Sequence, residues 1–246
     1  MIGQPKSLKR AVGLFRDPAW RRLRAVAWAY PLVGLFVLVT GSGPYYPFAL
    51  MLPLMAAGAV RTVRWAAGRR WRWRLANGAV GLSVALAVVL ALPLLPASSL
   101  KDTPIPDVLQ PVRDQLGWPT YVDQVAAVYD QLPPADRAHA VILANNYGEY
   151  GSLAYYGPRH ALPSVYSGQN ELRRYGPPPA STTVVVALGF DDPDDALRPA
   201  FATCSAAGTL DSGLGVDSEE QGRIIWVCRD PVAPWSQLWE RFQHYD

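Results

Sequence analysis

From Ala25 to Val60 the chain carries no charged side chain, a gap of 36 positions that constrains the fold more than any other feature. A helix needs about 20 residues to cross the roughly 30 Å of hydrocarbon in a bilayer. The gap is therefore too long for one span and suits two. Gly41, Ser42, Gly43 and Pro44, all turn formers, stand at its middle. They predict a helix over about 25–40, a tight turn, and a second helix over about 45–60. Another uncharged run, Leu75 to Leu100, has a Val80 to Leu95 core built almost wholly of Val, Leu and Ala and predicts a third helix over about 77–96.

The charges divide the chain in the same way. Residues 1–100 hold 13 Lys and Arg against the single acid Asp17, a net +12, whereas residues 101–246 hold 10 against 19, a net −9. Basic residues crowd the amino-terminal 24 positions and recur as Arg61, Arg64, Arg69, Arg70, Arg72 and Arg74, with Trp65, Trp71 and Trp73 among them. Cytoplasmic loops retain Lys and Arg, and indoles favour the membrane interface. This predicts a multi-pass cell-membrane protein with a cytoplasmic amino terminus and residues 101–246 extracytoplasmic. An Arg/Trp loop can also serve a nucleic acid, but beside two apolar stretches membrane lipid is the expected partner and nucleic acid is not. A cleaved signal peptide is excluded by the further apolar stretches that follow the first.

Residues 99–118 contain Pro104, Pro106, Pro111 and Gly117 and read as a linker. Beyond it, over 119–246, helix and strand signals alternate. Pro119 suits a first helical turn, and Val122, Val125, Ala126, Tyr129 and Leu132 follow at helical spacing. Strands are predicted at 140–144, 182–188 and 224–228, with a loop at Asn145–Gly148 followed by a helix through Tyr155, and further helices over 193–201 and over 234–242. The fold class expected is three transmembrane helices followed by an extracytoplasmic α/β domain with a mostly parallel sheet. Cys204 and Cys228 are the only cysteines. In an oxidising compartment they can pair, closing a loop of about 25 residues worth roughly 3 kcal/mol; two buried free thiols are the alternative.

The most pointed segment for chemistry is Asn145-Asn146-Tyr147-Gly148-Glu149, between a predicted strand and a predicted helix. Ligands of open α/β sheets lie at the carboxyl ends of strands, and two amides, a phenol and a carboxylate there suit a hydroxyl-rich ligand. A plain strand-to-helix turn with an Asn cap is the simpler reading. Ser167, Gln169 and Asn170 form a second polar cluster with the same two readings. Asp191-Asp192-Pro193-Asp194-Asp195 has the Asp-x-Asp pattern of a cation site but serves equally as a helix cap. His139, His160 and His244 have no metal-ligand spacing, and no phosphate-binding glycine loop or nucleophile motif occurs, so neither metal nor cofactor is expected.

Taken in order, several of these segments resemble the C-terminal domain of bacterial family 39 membrane glycosyltransferases of the GT-C type. These are relatives of the dolichyl-phosphate-mannose protein mannosyltransferases and the aminoarabinose lipid A transferases. The resemblance rests on Gly117-Trp118-Pro119, Ala140 to Glu149, Leu162-Pro163, Tyr166-Ser167-Gly168-Gln169-Asn170, Gly176-Pro177-Pro178, Cys228 and Pro234-Trp235-Ser236-Gln237-Leu238-Trp239. It implies a polyprenyl-phosphate sugar as donor and a hexosyltransferase activity. That family's catalytic acid lies in a loop with no counterpart here. Gly43 stands where the family often has Lys, and Gln169 where it has His. The resemblance thus implies the C-terminal part of a truncated or split transferase, inactive alone and partnered by a separately encoded catalytic membrane half. A non-catalytic glycan or lipid-carrier binding module and a structural subunit of a membrane complex are the alternatives.

Overall fold

The computed structural model describes residues 21, 24–40, 47–92 and 94–245. The Gly41 to Pro44 turn, with Gly43, and the basic segment up to Trp20 lie outside these residues. The chain divides into two units, residues 1–92 and 93–246.

The first unit contains α1 (Arg24–Thr40), α2 (Phe48–Ala66) and α3 (Arg70–Ala91), with α1 against α2 and α2 against α3. The predicted helices exist, but the expectation that they are three transmembrane helices is corrected: among the described residues no helix is long and apolar enough to cross a membrane. The reason lies in where backbone hydrogen bonding starts and stops. At 17 residues, α1 is about 25 Å long at 1.5 Å per residue, short of the hydrocarbon thickness. Helix α2 runs past the uncharged gap and takes in Arg61 and Arg64. Helix α3 starts at Arg70, takes in Arg72 and Arg74, and stops at Ala91 rather than near 96. Helical hydrogen bonds ignore side-chain charge, so helix ends need not coincide with charge gaps. The inside–outside topology inferred from those spans loses its basis with them.

In the second unit, the segment read as a linker is structured. A 3-10 turn at Ala97–Asp102 and one-turn helices at Ile105–Val108 and Gln110–Arg113 bury Leu100 and Pro106. Helix α4 (Trp118–Asp130) has Pro119 in its first turn and buries Tyr121, Val122, Val125, Ala126 and Val128 on one face. Then come β1 (Ala140–Ala144), α5 (Tyr147–Tyr156), β2 (Val165–Tyr166), β3 (Val184–Leu188), β4 (Phe201–Thr209) and β5 (Ile224–Pro231). The sheet order is β2-β1-β3-β5-β4. Strands β2, β1 and β3 are parallel, whereas β3–β5 and β5–β4 are antiparallel. The expected mostly parallel sheet is therefore corrected to a mixed one. The helix predicted over 193–201 is a single turn, Pro193–Ala196, and Phe201 instead opens β4.

Every residue of β1 and β3 is buried. Because side chains alternate across a strand, Ala140, Ile142, Val184 and Val186 join the layer built on α4, and Val141, Leu143, Val185 and Ala187 join Trp235, Leu238, Trp239 and Phe242 on the other face. Truncating a side chain as enclosed as Ile142 costs about 2–5 kcal/mol. Cys204 and Cys228 face each other across β4 and β5 and are disulfide-bonded.

Candidate functional site

The site lies where β1, β2 and β3 end. Asn146 caps α5: its Oδ1 accepts the Glu149 N–H at 2.8 Å, and Glu149 Oε2 accepts the N–H groups of Asn146 at 3.0 Å and Asn145 at 2.7 Å. This reciprocal arrangement satisfies donors that a helix start leaves open. It also buries Glu149 completely, at 0% exposure. A Cβ at Gly189, just after β3, would lie 2.0 Å from Glu149 Oε1, and the backbone there has φ +79°, so this position is closed to other residues by space and by conformation.

Glu220 joins Glu149 in the interior, at 3% exposure, and its Oε1 accepts from Asn146 Nδ2 at 3.0 Å. Burial holds the Glu149 carboxyl well above the usual carboxylate range. The Glu220 charge and hydrogen bonding to Glu220 push the same way, and the Asn146 and Asn145 N–H groups oppose. Each acid keeps one buried oxygen without a donor. A proton on Glu149 relieves both the repulsion and one of these vacancies.

The second polar loop meets the first. Gln169, 1% exposed, accepts the Tyr147 N–H through Oε1 at 2.6 Å, and the Gln169 N–H donates to Ser167 Oγ at 3.3 Å. Asn170 donates its N–H to the His244 carbonyl at 2.9 Å. A Cβ on Gly168 would fall 2.1 Å from the Phe242 carbonyl oxygen, so the loop is pressed against the carboxyl-terminal segment. The seven singled-out residues, Asn145, Asn146, Tyr147, Glu149, Ser167, Gln169 and Asn170, thus gather at one end of the sheet. Only Tyr147 is exposed to solvent. One helical turn from it, Tyr150 stacks on Tyr175 with ring centres 6.4 Å apart and nearly parallel planes, and Tyr175 is exposed.

Beside these loops is a groove of about 340 Å³ lined by Phe190, Asp191, Glu219, Gln221, Arg223 and Ile224 with Gly222. The Gly189 carbonyl connects it to the Asn145 loop, accepting from Asn145 Nδ2 at 3.0 Å and, more distantly, from Arg223 at 3.4 Å. Arg223 also pairs with Asp191, and its Nε donates to the Glu219 carbonyl at 2.7 Å. Burial raises the Glu219 carboxyl, as do Glu220, Asp114 and Asp191, with Arg223 opposing. Asp192, by contrast, caps the turn at Pro193 by accepting the Asp194 N–H at 2.8 Å. No family model, curated protein or solved structure matches this chain. The chemistry of the groove therefore has to be read from its own groups: two carboxylates, one guanidinium and one aromatic ring, since the Gln221 amide oxygen is taken up by Tyr121 and Ser212.

Sequence reasoning did not find Gly189, Glu219, Glu220, Gln221 or Arg223. The only local signal was the Ser218-Glu219-Glu220-Gln221 run of polar residues ahead of a predicted strand. The same stretch forms part of Leu210–Arg223, which connects β4 to β5. The former linker backs it, since Asp114 Oδ1 accepts the Glu219 N–H at 3.0 Å.

Proposed function

We propose that the second unit binds a sugar-bearing ligand in the groove between Phe190 and Ile224, as an accessory binding domain to polyprenyl-phosphate-sugar-dependent glycosyl transfer. The observation that carries this reading is the lining of that groove. The Asp191 and Glu219 carboxylates accept hydrogen bonds from hydroxyls, Arg223 donates, and the Phe190 ring offers an apolar face. That mixture suits a polyol better than a hydrocarbon or a bare anion. The resemblance of the polar loops to those of family 39 transferases supports a sugar as the polyol. The cross-strand disulfide supports an oxidising, extracytoplasmic compartment.

The reading is one of binding rather than catalysis. A general base has to reach the acceptor proton at hydrogen-bond distance, and Glu149 is sealed behind Gly189 with its carboxylate turned to backbone N–H groups. Calorimetric titration of the purified chain with hexoses, short glycans and polyprenyl-phosphate hexoses tests the proposal. Saturable binding that weakens at least about fivefold in Asp191→Asn and Glu219→Gln is expected, from one hydroxyl hydrogen bond to a charged group lost in each. Absence of binding to every sugar ligand, with the fold intact, would favour a structural role instead.

A further inference from the structure

We propose that Glu149 and Glu220 form a proton-dependent latch, a carboxylic acid paired with a carboxylate, that fastens the turn 219–222 to the start of α5 and frees it when the proton leaves. The two side chains are 0% and 3% exposed. They reach each other from α5 and from the connection between β4 and β5. With both groups ionised, Glu149 Oε1 and Glu220 Oε2 are buried acceptors without a donor. A proton held between the two groups turns their repulsion into a charge-assisted hydrogen bond. Burial and the Glu220 charge favour the protonated state of Glu149. When that proton passes to solvent, two buried negative charges remain side by side, and one of them has to reach water.

The geometry decides which side moves. Glu149 belongs to a capped helix: its Oε2 accepts the Asn145 and Asn146 N–H groups, and Gly189 closes over it. Glu220 stands on irregular backbone, with Asn146 Nδ2 as its donor at 3.0 Å. The turn therefore yields. The Tyr121 hydroxyl of α4 meets Ser218 Oγ at 2.8 Å and Gln221 Oε1 at 3.2 Å, which keeps the release local. Asn145 after β1 and Gly189 after β3 bring no charge to the pair. On the outer side of the turn stand Arg223, paired with Asp191, and Asp114, whose Oδ1 accepts the Glu219 N–H. His244, bridged to Gln169, is held to the Phe242 carbonyl. Glu219, Gln221, Gly222 and Arg223 line one side of the groove, so a freed turn widens it. The latch stands whatever the groove binds; only its effect on a ligand rests on the sugar reading.

The test is amide hydrogen exchange of the full chain, read by mass spectrometry from mildly acidic to mildly alkaline pH, with each rate divided by the intrinsic rate of its amide. The Glu219, Gln221 and Arg223 N–H groups report on the turn, since they donate to Asp114, Ser218 and Glu220. Their protection should fall about tenfold per pH unit, the slope for one proton lost on opening, between the ordinary carboxylate value and the raised one of Glu149. They should exchange well ahead of β1 and β3, as a local opening does. Glu149→Gln and Glu220→Gln each supply an amide donor that cannot ionise, and in both the slope should vanish. Glu220→Ala has no latch, and its turn should exchange fast at every pH. Three results would each overturn the proposal: a wild-type turn without slope, turn amides no faster than those of β1 and β3, or a slope that survives in both glutamine variants, as titration of His244 or Glu219 would give. Sugar titration over the same pH range separates the two readings. An exchange slope without any sugar binding defeats the groove reading alone, and sugar binding without a slope defeats the latch alone.

Discussion

The two units hold similar apolar residues and treat them in opposite ways. In the first, Leu38, Leu52 and Phe36 are 81%, 72% and 63% exposed, and aliphatic side chains point outward all around the helices. In the second, β1 and β3 are buried at every position, and even two carboxylic acids, Glu149 and Glu220, are enclosed. The difference is one of periodicity and layers. A strand that alternates between two covered faces gives every side chain a place to go. A helix that is apolar all round has no single face to turn inward. Stability in the second unit therefore comes from burial, whereas single exposed side chains in the first contribute little.

That contrast can be broken by substitution. The largest effect is expected at Gly189→Ala, where the added Cβ meets Glu149 and the left-handed backbone resists it. A loss of about 4 kcal/mol or more is expected in denaturant unfolding of the second unit, and a loss below about 1 kcal/mol would mean Glu149 is not locked there. Next comes removal of the cross-strand bond by Cys204→Ser with Cys228→Ser. This should cost about 3 kcal/mol in the same measurement, and wild-type protein in reductant should approach the variant.

Smaller, but with a sign that identifies its origin, is Glu149→Gln. Because burial raises this carboxyl, the folded chain keeps a proton that the unfolded chain has released. Its contribution to stability is thus fully present below the ordinary carboxylate value and falls as pH climbs from there toward the raised folded value. Glutamine keeps the shape and cannot ionise. Unfolding measured against pH should become flatter across that window, with the variant gaining on the wild type as pH rises. A variant that parallels the wild type would remove the buried acid from the account. Smallest of all is Leu38→Ser in α1, expected within about 0.5 kcal/mol of wild type by thermal unfolding; a cost comparable to a core truncation would erase the contrast between the units.

The parts of the fold readable from sequence are those with a strong local signal. Strands β1 and β3 are unbroken apolar runs, rich in valine, and the Asn146 cap sits where a strand run gives way to a helix. Strand β4 was not readable. Its Ala-Thr-Cys-Ser-Ala-Ala-Gly stretch is mostly exposed, lies at the sheet edge, and is a strand because β5 pairs with it rather than because of its own side chains. The uncharged runs of the first unit were readable as helices but misled as to span, because α2 and α3 continue into arginines. At the candidate site the Asn145 and Gln169 loops carried a local pattern. Glu220 and Arg223 reach the same end of the sheet from 74 and 34 positions away from the groups they bond, which no local pattern records.

The placement of the disulfide has a mechanical consequence for β4. An edge strand with so little buried surface peels from its neighbour by opening from either end, and such local opening is far easier than global unfolding. The sulfur bridge at Cys204 sits near the middle of Phe201–Thr209 and acts as a stop for both openings. The strand becomes two short flaps, 201–203 and 205–209, that can swing independently and reclose in register, since the bridge never lets the ladder slip by a residue. Reduction would merge the flaps into one and leave the register of the whole edge to chance.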